Sequence, residues 1–382
     1  MTDAGAAHPA GFRPPPYPYD RLDRLKPLAE GHEGGLVDLS IGTPYDPPPP
    51  AVVAALSTSG AERGYPSSVG TPAFREAAAA WMRRRLGVDV PVGDIAACIG
   101  TKELVTALPR WLHLRDPSRD TVLYPAVSYP SYAMGATLAG CRGVPVDVEG
   151  GGLDHVDPDD AARAVCLWVN SPGNPTARLS DLGAAAAWGR AHGVPVLSDE
   201  CYVEFTWADR PRTILEHGAD GVLAVHSLSK RSNLAGLRAG FYAGDAGLVH
   251  YLSEVRKHTG AMVPGPVQAA AAVALADDAH VDAQRERYAT RMAFLREALE
   301  GAGVHADPSA GSFYLWAVAA DGDAWGLTAW LVKWGGVLVA PGDLYGPAGK
   351  GHVRVAVVQP LDRLQLVADR LRRAPQGGAT PV

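Results

Sequence analysis

The chain has 382 residues, 47% of them hydrophobic and 20% charged, enough for one large domain, a smaller one and ample core. Its 35 basic and 41 acidic residues leave a formal charge of −6, which excludes a polycationic face for nucleic acid. The four cysteines, Cys98, Cys141, Cys166 and Cys201, form no CxxC pair and read as free thiols of a reducing compartment rather than as disulfides or zinc ligands.

No basic stretch followed by an apolar run stands between Met1 and Pro16, so no signal peptide is read and a cytoplasmic location is expected. The proline-rich opening forty residues predict an extended arm. Asp38 to Pro44 predicts a short strand ending in a Gly42-Thr43-Pro44 turn, and the prolines from Pro47 to Pro50 keep the chain extended. Tyr65 lies in a glycine-bounded loop, Gly64 to Gly70. Thr71-Pro72 then suits the N-cap and first position of a helix running to Arg85, with alanines inside.

From there, short apolar runs at 95–99, 122–124, 165–169, 194–197 and 222–225 alternate with helical patterns such as 180–192. Such runs predict an α/β fold with a mainly parallel sheet covered on both faces, whose ligand site lies beyond the carboxyl ends of the strands. The uncharged run 259–276 contains Pro264, Gly265, Pro266 and Gln268 and reads as a loop entering a buried helix, not a membrane span. A helical stretch from 266 to 301, broken near 277–280, leads to a second region. That region predicts strands at 312–318, 337–339 and 352–358, helices at 325–333 and up to about 373, and an unstructured tail, 374–382.

The chemistry-bearing motifs follow these runs. After 222–225 comes Ser227-Leu228-Ser229-Lys230, and eight residues later Arg238 between glycine-bearing turns. A lysine amine condenses with an aldehyde when its surroundings lower its pKa, and hydroxyls with an arginine hold a phosphate. Pyridoxal phosphate asks for both. Gly100-Thr101-Lys102-Glu103 opens a helix whose backbone N–H groups suit a phosphate, Lys102 offering its N–H rather than its ammonium. Asn174, in Asn170-Ser171-Pro172-Gly173-Asn174-Pro175, is either a turn residue or a donor to the cofactor's phenolate oxygen. Ala177 stands where glycine is usual, which limits the angles that turn can use.

Asp199-Glu200-Cys201-Tyr202 reads as solvated charge, as a metal site lacking a nearby histidine, or as an acid, Asp199, paired with a protonated pyridine nitrogen, with Tyr202 on the phenolate oxygen. Tyr129 suits stacking on the ring, and its spacing to Gly140 favours it over Tyr132. Arg354 sits inside an apolar strand, where a charge is costly unless paired; a substrate α-carboxylate would pair it.

In order and spacing, Tyr65, Gly100-Thr101-Lys102, Asn174, Asp199, Tyr202, Ser227, Lys230, Arg238 and Arg354 resemble the fold-type-I pyridoxal-phosphate aminotransferases over Asp38 to Ala356. The chain is most similar to their actinobacterial N-succinyldiaminopimelate subfamily, on stretches such as Ile99-Gly100-Thr101-Lys102-Glu103-Leu104-Val105 and Val339-Ala340-Pro341-Gly342-Asp343-Leu344-Tyr345-Gly346. The resemblance implies a large cofactor-binding domain, 41–290, a small α+β domain, 291–382, and an arm, 1–40, that joins it. It implies a homodimer in which Tyr65 reaches the neighbouring subunit's phosphate, and a Gly42 bordering the substrate carboxylate. It also implies ping-pong transfer between glutamate or 2-oxoglutarate and N-succinyl-2-amino-6-oxopimelate, in lysine biosynthesis, with no metal, nucleic acid or membrane. Another aminotransferase specificity, or a β-lyase of the same fold, keeps every one of these residues. A sensor role would call for a DNA-binding module, and none is read before Asp38.

Overall fold

The short strand expected near Asp38 is β1 (Val37–Asp38), and the apolar runs that follow build a seven-stranded sheet. The structure is a computed structural model that describes residues 11–149 and 151–375. The sheet comprises β2 (Ile95–Cys98), β3 (Thr121–Pro125), β4 (Arg142–Val146), β5 (Ala164–Asn170), β6 (Val196–Asp199), β7 (Val222–Ser227) and β8 (Gly240–Gly244), in the order β2-β8-β7-β6-β5-β3-β4. The run from β4 to β7 is parallel; β8 is antiparallel to both of its neighbours. Every residue of β5, β6 and β7 is buried, as near-continuous apolar strands require when helices cover both faces.

Strand alternation sorts the core into two layers. Ile95 and Ala97 pack with Phe74, Trp81 and the 265–276 helix, whereas Ala96 and Cys98 pack with Leu104, Trp111, Trp168 and Leu252. Emptying the Trp168 site by Trp168→Ala removes about 3–5 kcal/mol of stability. The helices begin and end where their caps dictate. The Thr71 hydroxyl accepts from Phe74 N at 3.3 Å and Pro72 occupies the first turn, while Asp181 caps Ala184 N at 2.9 Å. Gly193, at φ +61°, closes the Leu182–His192 helix.

The expected extended arm is a correction. Pro18–Leu25 forms a 3₁₀ helix and Lys26–Glu30 a helical turn. Leu22 and Ala29 are buried against Val332, Leu338 and Leu344, and that apolar spacing outweighs the prolines. Pro18 and Pro27 themselves lie in first turns, where no N–H is needed.

Beyond the sheet, the helical stretch breaks at Asp277–Asp278 into Gly265–Ala276 and Ala279–Gly301, with Asp277 Oδ1 accepting from Ala279 N at 2.9 Å. The second helix runs through residue 290. Tyr288 packs with Phe205 and Phe313, and Leu295 and Leu299 with the C-terminal core. That core holds β9 (Tyr314–Val318), β10 (Val337–Leu338), β11 (Ala340–Pro341) and β12 (His352–Ala356). β10 pairs with β1, and the others form an antiparallel sheet in the order β11-β12-β9. The helices Ala324–Gly335 and Leu361–Leu371 cover them. Of the tail expected to be unstructured, 376–382 lies outside the described residues.

Candidate active site

Parallel pairing brings the carboxyl ends of the central strands side by side, and the sequence motifs sit on them. Asn170 ends β5 opposite Asp199, the last residue of β6. Ser227 ends β7 opposite Gly240, which also faces Cys98 at the end of β2, so Gly100 and the Thr101–Arg115 helix start beside Ser227. A cavity of about 420 Å³ opens over these ends. Its wall includes Gly42, Thr101, Lys102, Tyr129 and Asn174. It also includes Asp199, Tyr202, Ser227, Lys230, Arg238 and Arg354, so eleven expected residues meet there.

Lys230 lies in the helical turn Leu228–Arg231, which Ser227 caps by accepting from Ser229 N at 3.1 Å. The buried Leu228 anchors that turn. Its amine donates to the Gly42 carbonyl and stands 6.0 Å from the Tyr202 ring centroid and 5.9 Å from that of Phe313. Burial, helped by the charges of Arg354 and Arg238, pushes it down to about 8. It is therefore a usable nucleophile and base near neutrality.

Asp199 is 7% exposed and accepts from Tyr132 Oη at 2.8 Å and from Cys201 N at 3.2 Å. Burial raises its pKa while these donors pull it down, and a cation facing it would complete the balance. Asn170 braces the same corner: its Nδ2 donates to the Asp199 carbonyl at 2.8 Å and its Oδ1 accepts from Asn174 N at 2.7 Å.

Arg354 enters from β12. It is 2% exposed and has no carboxylate partner among the described residues: Nη1 donates to Asn174 Oδ1 at 2.9 Å and Nη2 to the Ser40 carbonyl at 2.5 Å. Its guanidinium lies 4.4 Å over the Tyr314 ring and 4.9 Å over that of Tyr345. Tyr314 also shares a 2.7 Å hydrogen bond with the Tyr202 hydroxyl. It crowds Gly42 so closely that a Cβ there would come within 2.1 Å of its oxygen.

The set fits pyridoxal phosphate. Arg238, held at φ +55°, spends one N–H on the Ala235 carbonyl at 2.8 Å and pairs with no anion among the described residues. Its guanidinium lies against Gly100, where an added Cβ would meet Nη2 at 2.1 Å. Ser227, Ser229 and Thr101 line the same wall. Among the described residues this cradle of donors holds no anion, and it lies beside a buried acid, Asp199, that forms no ion pair.

One expected residue stands apart. Tyr65 is 98% exposed and does not line its own chain's cavity. Among the described residues no three histidine, cysteine, aspartate or glutamate side chains gather as for a metal ion. The histidine that the sequence could not supply to Asp199-Glu200 is His226, its Nε2 3.5 Å from Glu200 Oε2. That pair packs beside Trp81. Burial pushes Glu200 up and His226 down, so each is drawn toward its uncharged form.

Sequence reasoning missed Tyr132, Tyr314, Cys201 and the arm residues Tyr17 and Tyr19, all of which line the cavity. Only the nearness of Tyr132 to Tyr129 and of Cys201 to Asp199 was a signal. All four cysteines are free; Cys98 and Cys166 are buried and Cys141 and Cys201 half-buried.

A family model described as aminotransferase class I and II matches residues 35–371. The 4-dedimethylamino-4-oxo-anhydrotetracycline transaminase OxyQ of Streptomyces rimosus is 45% identical over 94% of this chain and 99% of its own length. A probable aminotransferase of Mycobacterium tuberculosis is 44% identical over 94% of this chain and 85% of its own. Among solved structures, a probable N-succinyldiaminopimelate aminotransferase from Thermus thermophilus aligns with a TM-score of 0.84 at 32% identity, covering 94% of this chain and all of that one.

Proposed function

The chain belongs to the class I and II aminotransferases, which depend on pyridoxal 5′-phosphate, and from that premise we propose that it moves an amino group between glutamate or 2-oxoglutarate and N-succinyl-2-amino-6-oxopimelate. The observation that carries the catalytic part is the convergence of Lys230, Asp199, Arg238 and Arg354 on one cavity. The substrate rests on the subfamily resemblance and on the Thermus relative. The division at residue 290, the cytoplasmic location and a homodimer completed by Tyr65 belong to the same proposal.

When bound, pyridoxal phosphate supplies an aldehyde for amines and a protonated ring that withdraws electrons from the substrate α-carbon. Lys230 is the amine that anchors it. Arg238, Ser227 and the Gly100-Thr101-Lys102 helix start hold the phosphate, the helix through its N–H groups. Asp199, kept in place by Tyr132 and Cys201 N, holds the proton on the ring nitrogen. Asn174 and Tyr202 would donate to the cofactor's phenolate oxygen, and Tyr129 would stack on its ring; all three line the cavity.

Arg354, whose partners are neutral, takes the α-carboxylate beside Gly42. A carboxylate held there would keep the α-carbon on the side of the cavity where the Lys230 amine donates to the Gly42 carbonyl. The Lys230 amine would serve as the group that takes up and hands back the substrate's α-proton. Its depressed pKa keeps enough of it neutral for that task.

The relative acting on an oxo-anhydrotetracycline favours a second reading, a flat polycyclic ketone as acceptor, and the six tyrosines on the wall suit such a surface. Half-reaction spectroscopy of the yellow holoprotein separates the two. Bleaching by glutamate and N-succinyl-diaminopimelate, but not by aspartate or alanine, supports the first. Restoration of colour from the aminated cofactor by an oxo-anhydrotetracycline alone supports the second. Release of pyruvate and ammonia from a cysteine-type donor would make the chain a lyase.

A further inference from the structure

Between β1 and the helix that opens at Pro50 the chain runs irregularly, and residues 41–43 of it line the cavity. Two of its carbonyls meet two cations of the site: Ser40 accepts from Arg354 Nη2 at 2.5 Å and Gly42 from the Lys230 amine. Its own side chains do little to hold it there. Ile41 and Tyr45 are exposed, and the 2.9 Å bond from Thr43 N to the Ile41 carbonyl closes only the turn itself.

The segment is fixed at its two ends. On one side Leu39 N donates to the Leu338 carbonyl at 2.8 Å and the Leu39 carbonyl accepts from Ala356 N at 2.8 Å. On the other, both carboxylate oxygens of Asp46 accept from the Arg291 guanidinium, at 2.6 and 2.8 Å, and Gln284 Nε2 donates to Asp46 Oδ2 at 2.8 Å. Gln284 and Arg291 stand about two turns apart on one face of the Ala279–Gly301 helix. Gln284 also accepts from Asn233 Nδ2 at 3.4 Å, so the same helix face reaches the loop that follows Lys230.

The side chains of Asp46 and Arg291 are 13% and 8% exposed. Burial opposes the charge on Asp46, but the hydrogen bonds from Arg291 and Gln284 outweigh it, and its pKa ends below the ordinary carboxylate value. A buried ion pair adds little net stability over apolar side chains of the same size, whereas its two parallel hydrogen bonds fix a position. The position fixed here is that of the chain carrying the Ser40 and Gly42 carbonyls.

We infer that Asp46 is a positioning residue: its ion pair with Arg291 holds residues 40–44 against the cavity, so that the Ser40 carbonyl aims Arg354 at the substrate α-carboxylate and the Gly42 carbonyl keeps the Lys230 amine beside it. The inference rests on the aminotransferase reading. It adds to that reading a pair of residues that stand outside the cavity wall and act through the chain between them and it.

The test compares the parent holoprotein with Asp46→Asn, with Arg291→Lys and with the double variant Asp46→Ala/Arg291→Met, which leaves neither charge buried without its partner. Single-turnover bleaching by glutamate gives an apparent dissociation constant. Competition by hexanoate and by hexanamide, alike in shape but not in charge, reads the aim of Arg354. Cofactor retention on dialysis and the melting temperature of the holoprotein report on the cavity and the fold. In Asp46→Asn and in the double variant the dissociation constant rises at least about tenfold, and the preference for hexanoate over hexanamide falls at least about fivefold. Retention and melting of the double variant stay at the parental level, and Arg291→Lys, which keeps the charge, lies between it and the parent.

A parental dissociation constant and a parental preference in the double variant overturn the inference. So do equal losses for hexanoate and hexanamide, or weaker cofactor retention beside them, which would make the pair a prop of the fold and nothing more. If the double variant does not fold, Asp46→Asn and Arg291→Lys decide by the same two readings. If the parent holoprotein is bleached by no amino donor, the aminotransferase reading fails and this inference with it. Bleaching of the parent with unchanged discrimination in the variants fails the inference alone.

Discussion

Lys230 is legible in the sequence because its neighbours are diagnostic: a strand, flanking serines and an arginine eight residues on. Its burial is not legible, and it has a measurable consequence. An amine whose pKa is about 8 folded and 10.5 unfolded binds fewer protons in the folded state, so stability rises as pH climbs from 8 toward 10.5. The cofactor-free Lys230→Met variant should therefore melt higher than the parent at pH 7, by about 1–2 kcal/mol of stability after allowing for water in the open cavity. The gap should narrow above pH 8, and a pH-independent gap in thermal melts would contradict the assignment. Asp199 was legible as an acid at a strand end, but Tyr132, which holds it, was not, because 67 residues separate them and only the sheet brings them together. Asp199→Asn should lower the half-reaction rate about a hundredfold, and Tyr132→Phe about tenfold, as expected for a hydrogen bond to a charged group. Equal rates in all three proteins would remove Asp199 from the ring nitrogen.

At the scale of elements, the parallel strands were the easiest part to read, because burial on both faces leaves unbroken apolar runs such as Val222-Leu223-Ala224-Val225. The arm was misread for a physical reason. Prolines at 18 and 27 suggest extension, yet each sits in a first helical turn, and the fold offers Leu22 and Ala29 an apolar surface that local sequence does not reveal. The turn after Asn174 shows the same limit. Ala177 adopts φ +58° where glycine would do so freely, and the strain persists because Ala177 is buried and its carbonyl accepts from Ala310 N and Gly311 N. Gly100 is the sharper case, since it combines φ +71° with the Arg238 guanidinium lying where a Cβ would be. Gly100→Ala should fold, displace Arg238 and weaken cofactor retention at least about tenfold, as read by equilibrium dialysis. Retention at the parental level would show that this helix start does not hold the phosphate.

For the molecule as a whole, the sequence located eleven of the cavity's 22 lining residues but not how three parts share them. The Ser40 carbonyl comes from the N-terminal segment, Asn174 from the end of the large sheet, and Arg354 from the C-terminal sheet. A clamp built from three parts is assembled only when they close together, which no single motif encodes. Tyr65, exposed and not part of its own cavity's wall, is proposed to serve a neighbouring subunit. Tyr65→Phe should leave sedimentation as a dimer unchanged and weaken cofactor retention about tenfold; a monomer, or unchanged retention, would contradict that role. Whether Lys230 alone carries the cofactor is tested most directly by borohydride reduction of the holoprotein followed by peptide mass mapping. The phosphopyridoxyl mass is expected on the peptide containing Lys230 and on no other. That mass on a different lysine, Lys102 included, or on none, would contradict it.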